Sequence, residues 1–211
     1  MTTSRRTAVA ATFLAAALAV PLGTASAQAA PVRHTAAAQP AAAAGQVGAQ
    51  ATKKLTIKTQ KQQKSYWCAP AAVRAMASRH RSGSGLPTQA QLAKQMKTKT
   101  SGTNIREVLQ TLNKLAGKHT YDFNTVGSGT RLSAEVKASV NRGHAVYVSV
   151  WSQWKPWKKT GTRGAGHAIV AYGYSGSTIY WWDPIDNTRH SASAAKSYAA
   201  MKNRGTQIIT G

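Results

Sequence analysis

The order of its segments constrains this fold more than any single residue does. Three apolar runs read as strands: "AVYVSVW" (Ala145 to Trp151), "HAIVAYGY" (His167 to Tyr174) and "TIYWWDP" (Thr178 to Pro184). Helical stretches come before them. "CAPAAVRAMASRH" (Cys68 to His80) carries Ala72, Val73 and Met76 at helical spacing, and Pro70 suits a first turn, where a missing N–H costs nothing. Thr88 caps "QAQLAKQM", and Thr103 or Asn104 caps "IREVLQTLNKLAG". In the second of these, Ile105, Val108, Leu109, Leu112 and Leu115 form an apolar stripe, and Gly117 is the stop. "LSAEVKASVNRG" (Leu132 to Gly143) is another helix and "ASAAKSYAAMKNRG" the last. "KKLTIKTQ" (Lys53 to Gln60) and "YDFNTV" (Tyr121 to Val126) are shorter strands. Helices first and strands last predict an α+β fold, helices packed on an antiparallel sheet, rather than alternating βαβ units. No repeat of fixed period is visible.

Three regions are expected along the chain. Residues 1–27 read as an export signal: Arg5 and Arg6 lead, Thr7 to Gly23 is apolar, and Ala25 to Ala27 is a small-residue cleavage pattern. The arginine pair leaves both the general and the twin-arginine routes open. Residues 28–52, rich in Ala, Gln and Pro, have no aromatic residue and a single charge, Arg33. Such a stretch buries too little apolar surface to offset its ordering entropy, so it reads as a linker or pro-segment. Residues 53–211 form one domain of ordinary size. The expected location is secreted, extracellular or wall-associated, with no membrane-spanning segment in the mature chain and a monomeric state.

The charge is lopsided: 28 Lys and Arg against 5 Asp and Glu, for a formal net +23. Most cations must therefore lie unpaired in solvent. Salt-sensitive attraction to polyanions follows, with an anionic wall polymer or lipid surface as the expected partner. No glycine-rich phosphate loop or RNA-binding aromatic signature occurs, so specific nucleic-acid binding is not expected. One cysteine and no His-x-x-x-His pair give no zinc spacing, and neither metal nor cofactor is expected.

That one cysteine, Cys68, cannot close an internal disulfide. It opens a predicted helix, where unpaired N–H groups favour a thiolate. A thiol nucleophile needs a base, and the base needs an orienting group. His167, behind small residues at the start of an apolar strand, is the leading candidate base. His144, at another strand entrance, is its rival. A three-residue hairpin loop, Tyr174 to Gly176 centred on Ser175, would set His167 opposite Asp183 with both side chains on one face. Asp183 could then hold one ring nitrogen while the other faces the thiol. Acyl transfer also needs donors where negative charge develops. The Cys68 N–H is one, and Gln60, Gln62 and Gln63 are candidates for a second.

A glutamine six positions before a helix-opening cysteine, then "GHAIVAYGY", then "WWDP", resembles the papain-like cysteine peptidases. Within them the chain is most similar to the bacterial double-glycine leader peptidases, in a stand-alone exported form. The resemblance spans about Thr56 to Pro184. It implies a papain-like fold and peptide-bond hydrolysis through a thioester, without a cofactor, on a peptide or protein substrate. It also implies roles: Gln62 for the oxyanion hole, Cys68 as nucleophile, His167 as general base and acid, Asp183 as orienter. The leader peptidases enter this helix with an Asp-Cys-Gly pattern, whereas this chain reads "YWCAP", and it has no transporter region. Trp67 before the cysteine instead resembles exported and effector-type relatives.

"WSQWKPWKKTGTRGAG" (Trp151 to Gly166) spaces Trp151, Trp154 and Trp157 by three and adds four cations after Trp154. It reads as a loop over the cleft, so Trp67, Trp154 and Trp157 are the candidate substrate contacts. Two other functions fit the same residues. One is a different thiol acyl transfer, such as wall-peptide amidase or transglutaminase-like chemistry. The other is a non-catalytic basic binding module on the same fold.

Overall fold

The structure, a computed structural model, describes residues 51–117 and 119–211. The expected signal segment, and the linker up to residue 50, lie outside the described residues.

Short β1 (Thr52–Lys54) leads to α1 (Cys68–Ala77), α2 (Gln89–Gln95) and α3 (Ile105–Ala116). Then come β2 (Asp122–Thr125), α4 (Gly129–Asn141), β3 (Val146–Trp151), β4 (Trp154–Lys155) and β5 (Lys158–Lys159). β6 (Gly166–Ser175), β7 (Thr178–Asp183), β8 (Thr188–Ser193), α5 (Ala194–Met201) and β9 (Gln207–Thr210) complete the chain.

The helix starts follow local chemistry. Thr88 and Gln91 form a reciprocal capping box at α2, and the Asn104 side chain accepts the Arg106 N–H at α3. α4 begins three residues earlier than the apolar pattern suggests, because Ser128 accepts the Arg131 N–H. Gly129 there lets α4 press onto α5: an added Cβ would meet Ala195 backbone at 2.9 Å.

The sheet is antiparallel throughout, in the order β2-β9-β3-β6-β7-β8. This is the expected α+β architecture, with two differences. β9 slots between β2 and β3, and β8 takes the first residues of the stretch expected as the last helix. β6 is buried without a break from His167 to Tyr174, so both faces of the sheet are covered at this central strand. α1 and α4 each lie against β6. The core closes on Trp181 and Trp182, Met76, Leu92, Leu112, Ile169 and Ile208, all fully buried.

The β6–β7 hairpin corrects the expected register. It turns through Gly176 and Ser177, with Ser175 opposite Thr178, so the loop has two residues and not three. Gly176 takes φ +53 in the left-handed region. By itself a two-residue loop would turn His167 to the other face from Asp183. A β-bulge between Ala171 and Gly173 absorbs that shift. Beyond it Ala171 pairs with Trp181 and Val170 with Trp182. The same register brings Asp183 level with Ile169, two residues from His167 along one face. The His167–Asp183 contact is therefore diagonal, not directly opposite.

β1 holds the bulge in place. It pairs Lys54 with Gly173, and the Leu55 N–H donates to the Tyr172 carbonyl at 2.7 Å. A Cβ on Gly173 would stand 2.5 Å from the Lys53 carbonyl. The glycine permits the close crossing, and the crossing sets the parity of the site.

Candidate active site

Cys68 is the first residue of α1. Trp67 before it makes no side-chain cap bond, so no side chain competes for the first-turn N–H groups. His167 is buried near the start of β6, and Asp183, fully buried, ends β7. His167 Nε2 and Asp183 Oδ1 are 2.7 Å apart. The structure thus brings Cys68, His167 and Asp183 together at the junction of helix and hairpin.

The electrostatics follow from this packing. Burial pushes the Cys68 thiol up, but the hydrogen bond and charge of His167, with the Ala168 and Ala69 N–H groups, bring it below the ordinary thiol value. Burial pushes His167 down, and its hydrogen bonds to Asp183 and Cys68 carry it above the ordinary imidazole value. Burial would raise Asp183. The hydrogen bond and charge of His167, then Lys155 and the Ile185 N–H, hold it down at about 2.

A family model described as the Peptidase_C39 like family matches residues 54–206. The chain belongs to this family. Solved structures with the same fold include a protein described as a C39-like peptidase from Bacillus anthracis, at 16% identity and TM-score 0.59, covering 76% of this chain and 96% of that one. The peptidase domain of Streptococcus ComA, a bi-functional ABC transporter involved in a quorum-sensing pathway, matches at 18% and TM-score 0.51, covering 74% and 95%. A double-glycine-motif protease from an AMS/PCAT transporter, in complex with its leader peptide, matches at 10% and TM-score 0.50, covering 75% and 92%. At these identities the likeness is one of fold alone. No curated protein matches the chain. Family and fold together make this a C39-like, cysteine-peptidase-type chain.

Lys155 is a further member of the site that the sequence pattern does not single out. In the C39-like site its Nζ bonds Asp183 Oδ2 at 2.5 Å, while the Ile185 N–H donates to Oδ1 at 2.9 Å. Asp183 therefore lies between His167 and the Lys155 ammonium, with the Lys155 side chain only 13% exposed. No local signal marks Lys155 among its cationic neighbours. It reaches Asp183 because β4 folds back against β3, with Trp154 opposite Trp151.

The other candidates are placed as follows. Gln62 is half-buried, and its Nε2 donates to the Lys64 and Ser65 carbonyls at 2.9 and 2.8 Å, while its Oε1 is buried without a partner. Both amide hydrogens are thus engaged by backbone. Gln60 accepts from Gln89, and the Gln63 N–H donates to Gln89. His144 stacks on His80 with ring centroids 5.1 Å apart and meets Tyr121 edge-on, away from the thiol.

The expected loop over the cleft is instead a small β4–β5 hairpin. Trp157 stacks on His190 at 4.1 Å, and Lys159 and Arg163 lie over the Trp154 ring. Trp67 is half-buried under the Lys64 ammonium. None of the three tryptophans lines the cleft at Cys68, which measures about 90 Å³. Trp154 and Trp157 line a separate basic pocket of about 310 Å³ against α5. Among the described residues, no cluster of three or more His, Cys, Asp or Glu could hold a metal, and no helix is long and apolar enough to cross a membrane.

Proposed function

We propose that the chain hydrolyses peptide bonds through Cys68, His167 and Asp183. The observation that carries this reading is the buried 2.7 Å His167–Asp183 hydrogen bond beside a thiol at a helix start. Cys68 Sγ attacks the carbonyl carbon and His167 donates its proton to the leaving amine, which gives a thioester. His167 then takes a proton from water as the water attacks, and the acid leaves as the C–S bond breaks, which restores the thiolate beside protonated His167. Asp183 holds the ring and supports its positive charge through Nε2, leaving Nδ1 for the thiol. The Cys68 N–H is the first oxyanion donor. Gln62 serves as the second when substrate draws its amide away from the Lys64 and Ser65 carbonyls. A peptide is the substrate class, because a neighbouring structure holds a leader peptide. The narrow cleft suits extended backbone with small side chains.

The test is the rate of Cys68 alkylation by iodoacetamide against pH. The thiol is lowered and His167 raised because each charged form stabilises the other across their hydrogen bond. Fast reaction below pH 7 is expected, collapsing in His167→Ala. A rate that follows an ordinary thiol near pKa ~8.5 in both proteins would defeat the activated-nucleophile reading. The same profile separates any thiol acyl transfer from a non-catalytic basic module.

Cations interleaved with Trp154 and Trp157 on the β4–β5 hairpin support a second contact, with an anionic wall polymer or lipid surface. Trp154→Ala should weaken salt-sensitive retention on anionic vesicles or wall polymer by severalfold. Retention equal to wild type at every salt concentration would rule the hairpin out.

A further inference from the structure

Arg204 follows α5 and lines the same cleft as Cys68 and His167. Its guanidinium lies over Gly166, where an added Cβ would stand 2.8 Å from a terminal nitrogen and 3.0 Å from Nε. It also packs over Trp151, 4.9 Å from the ring centroid. Gly166 and Trp151 are paired across β6 and β3. The glycine thus leaves the space that the planar group fills, and the tryptophan supports it. Contacts with flat surfaces hold this exposed cation in place, and no carboxylate does.

The chain has five acidic side chains, and each is placed elsewhere. Glu107 pairs with Lys97 and Glu135 with Arg131. Asp183 is buried between His167 and Lys155. Asp186 accepts from Thr188 and lies 3.8 Å from His190. Asp122, on β2, accepts the Phe123 N–H. Among the described residues, none pairs with Arg204. A carboxylate facing this guanidinium in the cleft must come from a ligand.

We propose that Arg204 receives a substrate carboxylate next to the scissile bond, so that the enzyme prefers peptides that are acidic there. The inference rests on the peptidase reading above. A guanidinium fork matches a carboxylate with two parallel hydrogen bonds, and a cleft wall on one side strengthens the attraction relative to open water. An Asp or Glu side chain and a free C-terminus present the same chemistry.

Iodoacetate and iodoacetamide alkylate the same thiol, but only iodoacetate carries a carboxylate. Their rate ratio at Cys68 therefore reports local recognition whether or not a peptide is cleaved. Arg204→Ala should lower this ratio roughly fivefold, and Arg204→Glu further, with Arg204→Lys partly restoring it. Lys202→Ala, an exposed neighbour outside the cleft, should leave it unchanged. A ratio unmoved by Arg204→Ala, or moved equally by Lys202→Ala, overturns the proposal. Matched peptides then identify the source of the carboxylate. A Glu-over-Gln preference beside the cleaved bond that falls in Arg204→Ala assigns a side chain. An acid-over-amide preference at the C-terminus that falls likewise assigns a terminal carboxylate. Equal rates within both pairs overturn the proposal. An Arg204-dependent alkylation ratio without hydrolysis of any peptide upholds the carboxylate site and overturns the peptidase reading instead.

Discussion

Asp183→Asn should slow peptide hydrolysis by about three orders of magnitude and destabilise the fold as well. The carboxylate is fully buried and accepts from three donors: His167 and the Ile185 N–H at Oδ1, and Lys155 at Oδ2. An asparagine offers one acceptor and one donor in the same space. If its oxygen faces His167, its NH2 group meets the Lys155 ammonium. If its oxygen faces Lys155, its NH2 group meets His167 and favours the wrong tautomer. Breaking a buried ion pair by removing one partner costs about 3–5 kcal/mol. Urea unfolding should show a loss of that order in Asp183→Ala. Adding Lys155→Met to Asp183→Asn should recover much of the stability and none of the hydrolysis. Near-wild-type hydrolysis by Asp183→Asn would remove Asp183 from the mechanism. The pH dependence has a definite sign. Asp183 is held at about 2, below the ordinary 3.8, so its contribution is present above pH 3.8 and is lost as pH falls through about 2.

Trp181→Ala should cost about 3–5 kcal/mol, among the largest single losses in this core. Trp181 is fully buried two residues before Asp183, and its Nε1 donates to Ser197 Oγ on α5 at 3.2 Å. Alanine would leave a cavity between sheet and helix and an unused acceptor on Ser197. Trp181→Phe keeps most of the ring volume and should lose much less. The measurement is the urea midpoint, falling at constant slope. A loss under about 1 kcal/mol would show that α5 collapses into the space. Because Trp181 and Asp183 share β7, a loosened strand should also slow hydrolysis in Trp181→Ala, while leaving the pH profile of the remaining activity unchanged.

The parts of the site that were legible in the sequence are those set by short-range chemistry. Pro70 inside the first turn marked the helix that Cys68 opens. Thr88 marks α2, and the pair Thr103 or Asn104 marks α3, where Asn104 is the residue that caps. The alternating and aromatic runs around His167 and Asp183 marked strands. The pattern predicts the pairing of those two residues through a three-residue loop, whereas the hairpin has two. The contact exists because a bulge at Ala171/Gly173 restores the parity that the shorter loop would have broken. The pattern predicts Trp154 and Trp157 over the cleft, but both belong to a hairpin of their own, with Trp157 stacked on His190. Spacing by three reported a cluster but not the direction in which the cluster faces.

The α+β class and the candidate groups of the site are legible in the chain alone, because caps, stops and apolar periods act within a few residues. The geometry around those groups is set by contacts between distant segments. β1 crosses Gly173 from more than a hundred residues away and fixes the bulge, and with it the face on which His167 meets Asp183. Lys155 reaches the buried carboxylate through the fold-back of β4, and Arg204 reaches the cleft through the placing of α5 beside β3 and β4. Such contacts depend on sheet order and close packing between distant segments, and no local pattern encodes either.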